Sequence, residues 1–69
     1  MKAISGKELC RVVEQHGWIQ QRIRGSHHIY SKTGSIVRLS IPVHASKPLK
    51  IGLQKHLMKL AGLAEADLT

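Results

Sequence analysis

Residues 18–42 read WIQQRIRGSHHIYSKTGSIVRLSIP, and the period of this stretch decides the fold. Residues 18–23, 27–32 and 35–41 are short runs rich in β-branched and aromatic side chains, which predicts three strands. Arg24-Gly25-Ser26 and Thr33-Gly34 separate them, and connections this short force antiparallel neighbours. A three-stranded meander results. In the last run Val37, Leu39 and Ile41 alternate with Ile36, Arg38 and Ser40, so the odd positions are expected to face the core. Pro42 then ends the ladder, because it has no N–H to contribute.

On either side of the strands the period becomes helical. Ser5 is placed as an N-cap, Glu8 as its capping-box partner three residues on, and Ile4 and Leu9 as a hydrophobic staple. Leu9, Val12, Val13 and His16 follow as one stripe, Gly17 supplies the left-handed residue that ends the helix, and Trp18 can cover Val13. After a connection over residues 43–50, Leu49, Leu53, Leu57, Leu60 and Ala61 return to helical spacing and Gly62 closes the second helix. Leu63 sits where it would contact Met58, and Lys55 and Lys59 suit the negative end of the helix dipole. Residues 64–69 have no visible partner and are expected to fray. The expected architecture is therefore α+β, in the order α-β-β-β-α. Both helices cover one face of an antiparallel three-stranded sheet, with one domain over residues 1–63 and a frayed tail over 64–69. That order is also the order of double-stranded-RNA-binding domains.

Eleven Lys and Arg against four Asp and Glu give a net charge of +7 in 69 residues. Four carboxylates and no Phe leave little from which to build a calcium cage or a glycosidase-type carboxylate pair. One cysteine, Cys10, excludes an internal disulfide. The start, Met1-Lys2-Ala3-Ile4-Ser5, lacks the apolar stretch of a secretory signal, and no run approaches the length of a membrane span, so a cytoplasmic protein is expected. Strong positive charge without an anchor points to a polyanionic partner, nucleic acid or an acidic protein.

Five histidines raise the question of metal. Their spacing answers it poorly. His27 and His28 diverge on a strand, His16, His44 and His56 fall in separate elements, and Cys10 has no second thiol, unlike the paired ligands of structural zinc sites. Neither a metal nor a cofactor is implied. Two registers of the second hairpin are open. A two-residue Thr33-Gly34 loop pairs Lys32 with Ser35, Tyr30 with Val37, His28 with Leu39 and His27 with Ser40. His28 and Tyr30 then face the core, while His27 joins Ile29 on the outer face, diagonal to Arg38. A three-residue loop slips the register by one, sets Ile29 against Val37 and exchanges the faces.

RNA carries its own nucleophile, the 2′-hydroxyl beside the scissile phosphate, so cleaving it requires only a base for that proton and a cation for the charge that develops on phosphorus. Histidine suits the first task and Lys or Arg the second. The basic residues divide into the strand group Arg22, Arg24, Lys32 and Arg38 and the loop-helix group Lys47, Lys50, Lys55 and Lys59, either of which can track phosphates. The Gly25-Ser26 turn can bring backbone amides close to a phosphate.

Taken in order, Ser5-Gly6-Lys7-Glu8-Leu9, Gly17-Trp18, Arg24-Gly25-Ser26-His27-His28-Ile29-Tyr30, Ile41-Pro42-Val43-His44 and Lys47-Pro48-Leu49-Lys50 with residues 57–63 resemble the HicA-type toxins of type II toxin-antitoxin pairs. The resemblance spans nearly the whole chain. It implies a double-stranded-RNA-binding-like fold and a metal-independent endoribonuclease, an mRNA interferase that arrests growth. It also implies one essential histidine in the Gly-Ser-His turn, which is His27 in this sequence. A HicB-type antitoxin is the implied protein partner, and operator DNA is reached only through that complex. On this reading His27 is the general base. Arg24, Gly25, Ser26, Arg38, Lys47 and Lys50 contact RNA, and His28 and His44 are candidates to assist. The alternative is a non-catalytic basic RNA-binding module.

Overall fold

The computed structural model describes residues 1–68, ordered α1 (Gly6–Gln15), β1 (Ile19–Arg24), β2 (His27–Ser31), β3 (Arg38–Pro42), α2 (Ile51–Ala61) and a short 3₁₀ turn (Glu65–Leu68). The expected α-β-β-β-α order and three-stranded antiparallel sheet are present, with strand order β1-β2-β3. Among the described residues, no helix is long and apolar enough to cross a membrane.

Local chemistry sets both ends of α1 and the C-terminal end of α2. The Ser5 hydroxyl accepts from the Glu8 amide at 3.1 Å, and the Glu8 carboxylate accepts from the Ser5 amide at 3.3 Å, which completes the capping box. Gly17, with φ 92, turns the chain out of α1, and the Trp18 amide donates back to the Val13 carbonyl at 3.1 Å. Gly62, with φ 73, does the same for α2, and Leu63 donates to the Met58 carbonyl as its position predicted.

The sheet's inner face carries Tyr30, Leu39 and Ile41, all fully buried beneath Leu9 and Val13 of α1 and Leu57 and Met58 of α2. On β3 the buried Leu39 and Ile41 alternate with exposed Arg38 and Ser40, so the inward set is the one the period-two pattern selects. The ladder itself differs from both anticipated registers. Tyr30 pairs with Leu39, His28 with Ile41 and His27 with Pro42, and β3 begins at Arg38 instead of Ser35. Residues 32–37 form a wider connection, in which the Ser35 amide donates to the Lys32 carbonyl and the Val37 amide to the Ser35 hydroxyl. Thr33-Gly34 does not supply the two left-handed residues of a two-residue turn; only Gly34 takes a positive φ. The pairing is shifted by two positions from the two-residue-loop reading. A shift of two preserves the faces, so His28 and Tyr30 point inward and His27 outward as that reading expected.

Three further expectations change. Leu53 and Leu60 are exposed, and α2 buries Gln54, Leu57, Met58 and Ala61. The reason lies before the helix. Leu49 precedes α2 and is fixed by the hydrogen bond its amide donates to the Ile4 carbonyl at 2.8 Å, and the helix that starts at Ile51 then presents Gln54 inward. His16 is also outside the core. Its Nδ1 lies 2.9 Å from the Val12 carbonyl and its Nε2 3.3 Å from Asp67. At the C-terminal end, where fraying was expected, residues Glu65–Leu68 form the 3₁₀ turn, Leu68 packs against the core, and Glu65 lies 3.1 Å from the Met1 ammonium. The Ala64 amide and then His16 hold the Asp67 carboxyl below its ordinary range. Thr69 lies outside the described residues.

Candidate functional site

The β1–β2 hairpin turns in two residues. Gly25 takes φ 59 at the first central position, where a side chain would be strained, and Arg24 and His27 close the turn as a cross-strand pair. Paired residues share a face, so the guanidinium and the imidazole project together from the open side of the sheet. Ile29 and Ser40, themselves a cross-strand pair, complete a shallow depression of about 380 Å³ with them. The Ser26 carbonyl accepts from the Val43 amide at 2.7 Å and ties the turn to the chain leaving β3. His27 is exposed.

The remaining predicted residues divide by position. Arg38 is on the outer face but pairs with Ser31, at the opposite end of β3 from His27's partner Pro42. Four residues of strand span about 13 Å. The expected diagonal contact between Arg38 and His27 is therefore replaced by separation, as the two-residue register shift requires. His28 is half-buried on the inner face and lines a cleft against α1, away from His27. His44, Lys47 and Lys50 line a second groove of about 370 Å³, walled by Pro42, Leu49 and Leu53. Since Pro42 pairs with His27 and also borders this groove, the two depressions adjoin.

The groove is held from outside its own segment. Ser5 bridges to Pro48, and the buried Gln54 carboxamide accepts from the Ile4 amide at 2.9 Å while donating to the Lys2 carbonyl at 2.8 Å. Gly6 completes the clamp: a Cβ there would lie 1.9 Å from the Pro42 carbonyl oxygen, so only glycine lets α1 start against the end of β3. Neither Gln54 nor the need for glycine at position 6 was anticipated. A lone glutamine in a leucine-rich helix is the one signal that was present. Lys50 is the N-cap of α2 and makes no side-chain cap bond, and the helix's first turn contains no acid, so its positive end adds to Lys47 and Lys50.

All four carboxylates are engaged elsewhere: Glu8 in the capping box, Glu14 with the Tyr30 hydroxyl at 2.5 Å, Glu65 with Met1 and Asp67 with His16. None of them orients His27. Burial raises the Cys10 thiol above its ordinary range, with the Tyr30 hydroxyl opposing and Glu14 adding to the effect; the group is a packing residue of α1. Among the described residues, no three His, Cys, Asp or Glu side chains converge.

Comparison with protein families matches residues 6–63 to the HicA toxin of bacterial toxin-antitoxin systems. The chain belongs to the HicA toxin family. The matched region runs from the first residue of α1 to the residue after the α2 cap and contains every site residue named above. It leaves out Lys2, Ile4 and Ser5, which clamp the second groove of this HicA-family toxin. Membership implies an antitoxin as partner. Comparison with curated proteins gives no match.

Proposed function

We propose that this HicA-family toxin is a metal-independent endoribonuclease that cleaves mRNA, with His27 as general base, and that a HicB-type antitoxin restrains it. The observation that carries this reading is the cross-strand pair of His27 and Arg24 on the open face of the sheet. His27 takes the proton of the 2′-hydroxyl, and the 2′-oxygen attacks the adjacent phosphorus. The P–O5′ bond then breaks, His27 returns the proton to the departing 5′-oxygen, and the products are a 2′,3′-cyclic phosphate and a 5′-hydroxyl. Arg24 balances the charge that develops on the phosphoryl oxygens. Lys47 and Lys50, in the adjoining groove, hold neighbouring phosphates, and His44 lies beside them to assist. Arg38 binds backbone farther along the strand, outside the reacting centre.

One histidine serving both proton transfers makes a slow enzyme, because general acid-base catalysis supplies about 10² to 10⁴-fold. The absence of a carboxylate behind His27 favours the second reading, a basic RNA-binding module without catalysis. Incubating single-stranded RNA of mixed sequence with the wild type and the His27→Ala variant in EDTA separates the two. Cleavage by the wild type alone, with cyclic-phosphate ends in the mass spectrum, supports the nuclease. Binding by both without cleavage by either supports the module, and 3′-hydroxyl ends contradict the proposed chemistry.

A further inference from the structure

β1 is an edge strand, paired only with β2 among the described residues, and all six of its residues are exposed. α1 packs against β3, which leaves the inner side of β1, with Gln20 and the half-exposed Ile23, uncovered. A cleft of about 400 Å³ runs between α1 and the sheet there, with Tyr30, Gln20 and His28 on the sheet side. Lys7 and Arg11, one helical turn apart, stand on the α1 side. Glu8, in the capping box, and Glu14, which accepts from the Tyr30 hydroxyl, border the same cleft, so the surplus positive charge around β1 comes from Arg22 and Arg24. Lys7 and Arg11 form no ion pair among the described residues. Arg22 and Arg24 project from the other face of the same strand, since they pair with Ile29 and His27.

We propose that the free edge of β1 and this cleft form the docking site for an extended acidic segment of a protein partner, which joins the sheet as a fourth strand. An edge strand offers a row of unpaired amides and carbonyls that only another polypeptide can match in spacing. Alternate side chains of the added strand would point into the cleft toward Lys7 and Arg11 and out toward Arg22 and Arg24, so glutamates or aspartates find cations on both faces. RNA fits this site less well, because single strands are usually gripped by stacking on exposed aromatics, and both aromatics of this chain, Trp18 and Tyr30, are buried. A second copy fits no better, since β1 against β1 sets arginines against arginines. The inference rests on the antitoxin partner that family membership implies and is independent of the ribonuclease reading. It adds a consequence for that reading: a strand docked on β1 would engage Arg24, the cation beside His27.

The test titrates the isotopically labelled full chain with a capped heptapeptide in which pairs of glutamates are separated by single threonines, so that an extended strand carries acids on both faces. The same peptide with glutamine for glutamate and a single-stranded RNA hexanucleotide serve as comparisons, all followed by amide NMR. The acidic peptide is expected to shift and protect the amides of Ile19–Arg24. The double variant Lys7→Glu with Arg11→Glu is expected to weaken it by about tenfold or more and leave RNA affinity within about twofold. Lys7→Gln with Arg11→Gln gives a milder version of the same loss should charge reversal disturb α1. The proposal is overturned if the acidic peptide produces no shifts at β1 or the glutamine peptide binds equally well. It is also overturned if RNA shifts the amides of Lys7 and Arg11 and displaces the peptide, which would make the cleft a nucleic-acid groove. Loss of ribonuclease activity in EDTA would leave all of these readouts intact.

Discussion

The β1–β2 hairpin reverses in two residues, whereas the connection between β3 and α2 takes residues 43–50, and the two carry the site's cations on different supports. The hairpin's own residues set its turn, and β3 supports it through the Val43–Ser26 hydrogen bond and the ladder to β2. One glycine with positive φ and one cross-strand pair set Arg24 beside His27. The longer connection carries His44, Lys47 and Lys50 but cannot position them alone; Ile4, Ser5, Gly6 and Gln54 do so from distant parts of the chain. Side chains placed on a short local turn depend on few distant contacts. A groove built by tertiary contacts depends on each of them.

The largest separation of the two regions is expected from His27→Ala, which should lower RNA cleavage by about 10² to 10⁴-fold while changing stability by less than about 0.5 kcal/mol. Single-turnover cleavage and thermal melting on the same samples measure both. In that assay Arg24→Ala should cost about 10²-fold and Arg38→Ala far less, since only Arg24 borders the His27 depression. Equal losses would show that proximity to His27 does not matter.

Gly6→Ala tests the clamp, and its expected cost is about 3 kcal/mol, because the new Cβ meets backbone that cannot step aside. Gln54→Ala should cost about 2 kcal/mol by leaving the buried Ile4 amide unpaired, with faster hydrogen exchange at Ile4 and Leu49 and weaker RNA binding through the loosened groove. Unchanged exchange at Leu49 would mean the connection stands without its clamp. At the hairpin, Gly25→Ala meets no neighbouring atom and suffers only backbone strain, about 1 to 2 kcal/mol. Its cleavage activity should fall through misplacement of His27, which a melting curve does not report.

The smallest effect concerns pH. Burial first, and the hydrogen bond to Glu14 second, push the Tyr30 hydroxyl far above its ordinary value of 10.0. The folded chain therefore keeps a proton that the unfolded chain releases near pH 10. This contribution to stability is complete below that value and declines as pH rises beyond it. Melting temperatures measured from pH 8 to 11 should fall for the wild type and fall less for Tyr30→Phe.

Legibility in the sequence followed the same division. The capping box, the Gly17 and Gly62 helix ends and the Gly25 turn depend on neighbours within five residues, and each was readable from residue type and spacing. The inward set Tyr30, Leu39 and Ile41 was readable because a period of two survives a register error of two. The register itself was not, since a connection over residues 32–37 and a two-residue loop put the same residues on each face. The phase of α2 was misjudged at Leu53 and Leu60 for a related reason. Leu49 continues the spacing in sequence but lies outside the helix in space.

By itself, then, the chain determined its elements, their order and the two faces of the sheet, because each depends on short-range sterics and local hydrogen bonds, whereas Arg24, read as part of the turn, proved to be the last residue of β1 and the partner of His27. Only the tertiary structure decided that Arg38 stands apart from His27, that His44, Lys47 and Lys50 share a groove adjoining the hairpin, that Gly6 and Gln54 hold that groove, and that α1 leaves an open cleft beside β1. Those outcomes depend on which distant surfaces pack together, and packing is set by shape and buried area that residue spacing along the chain does not encode.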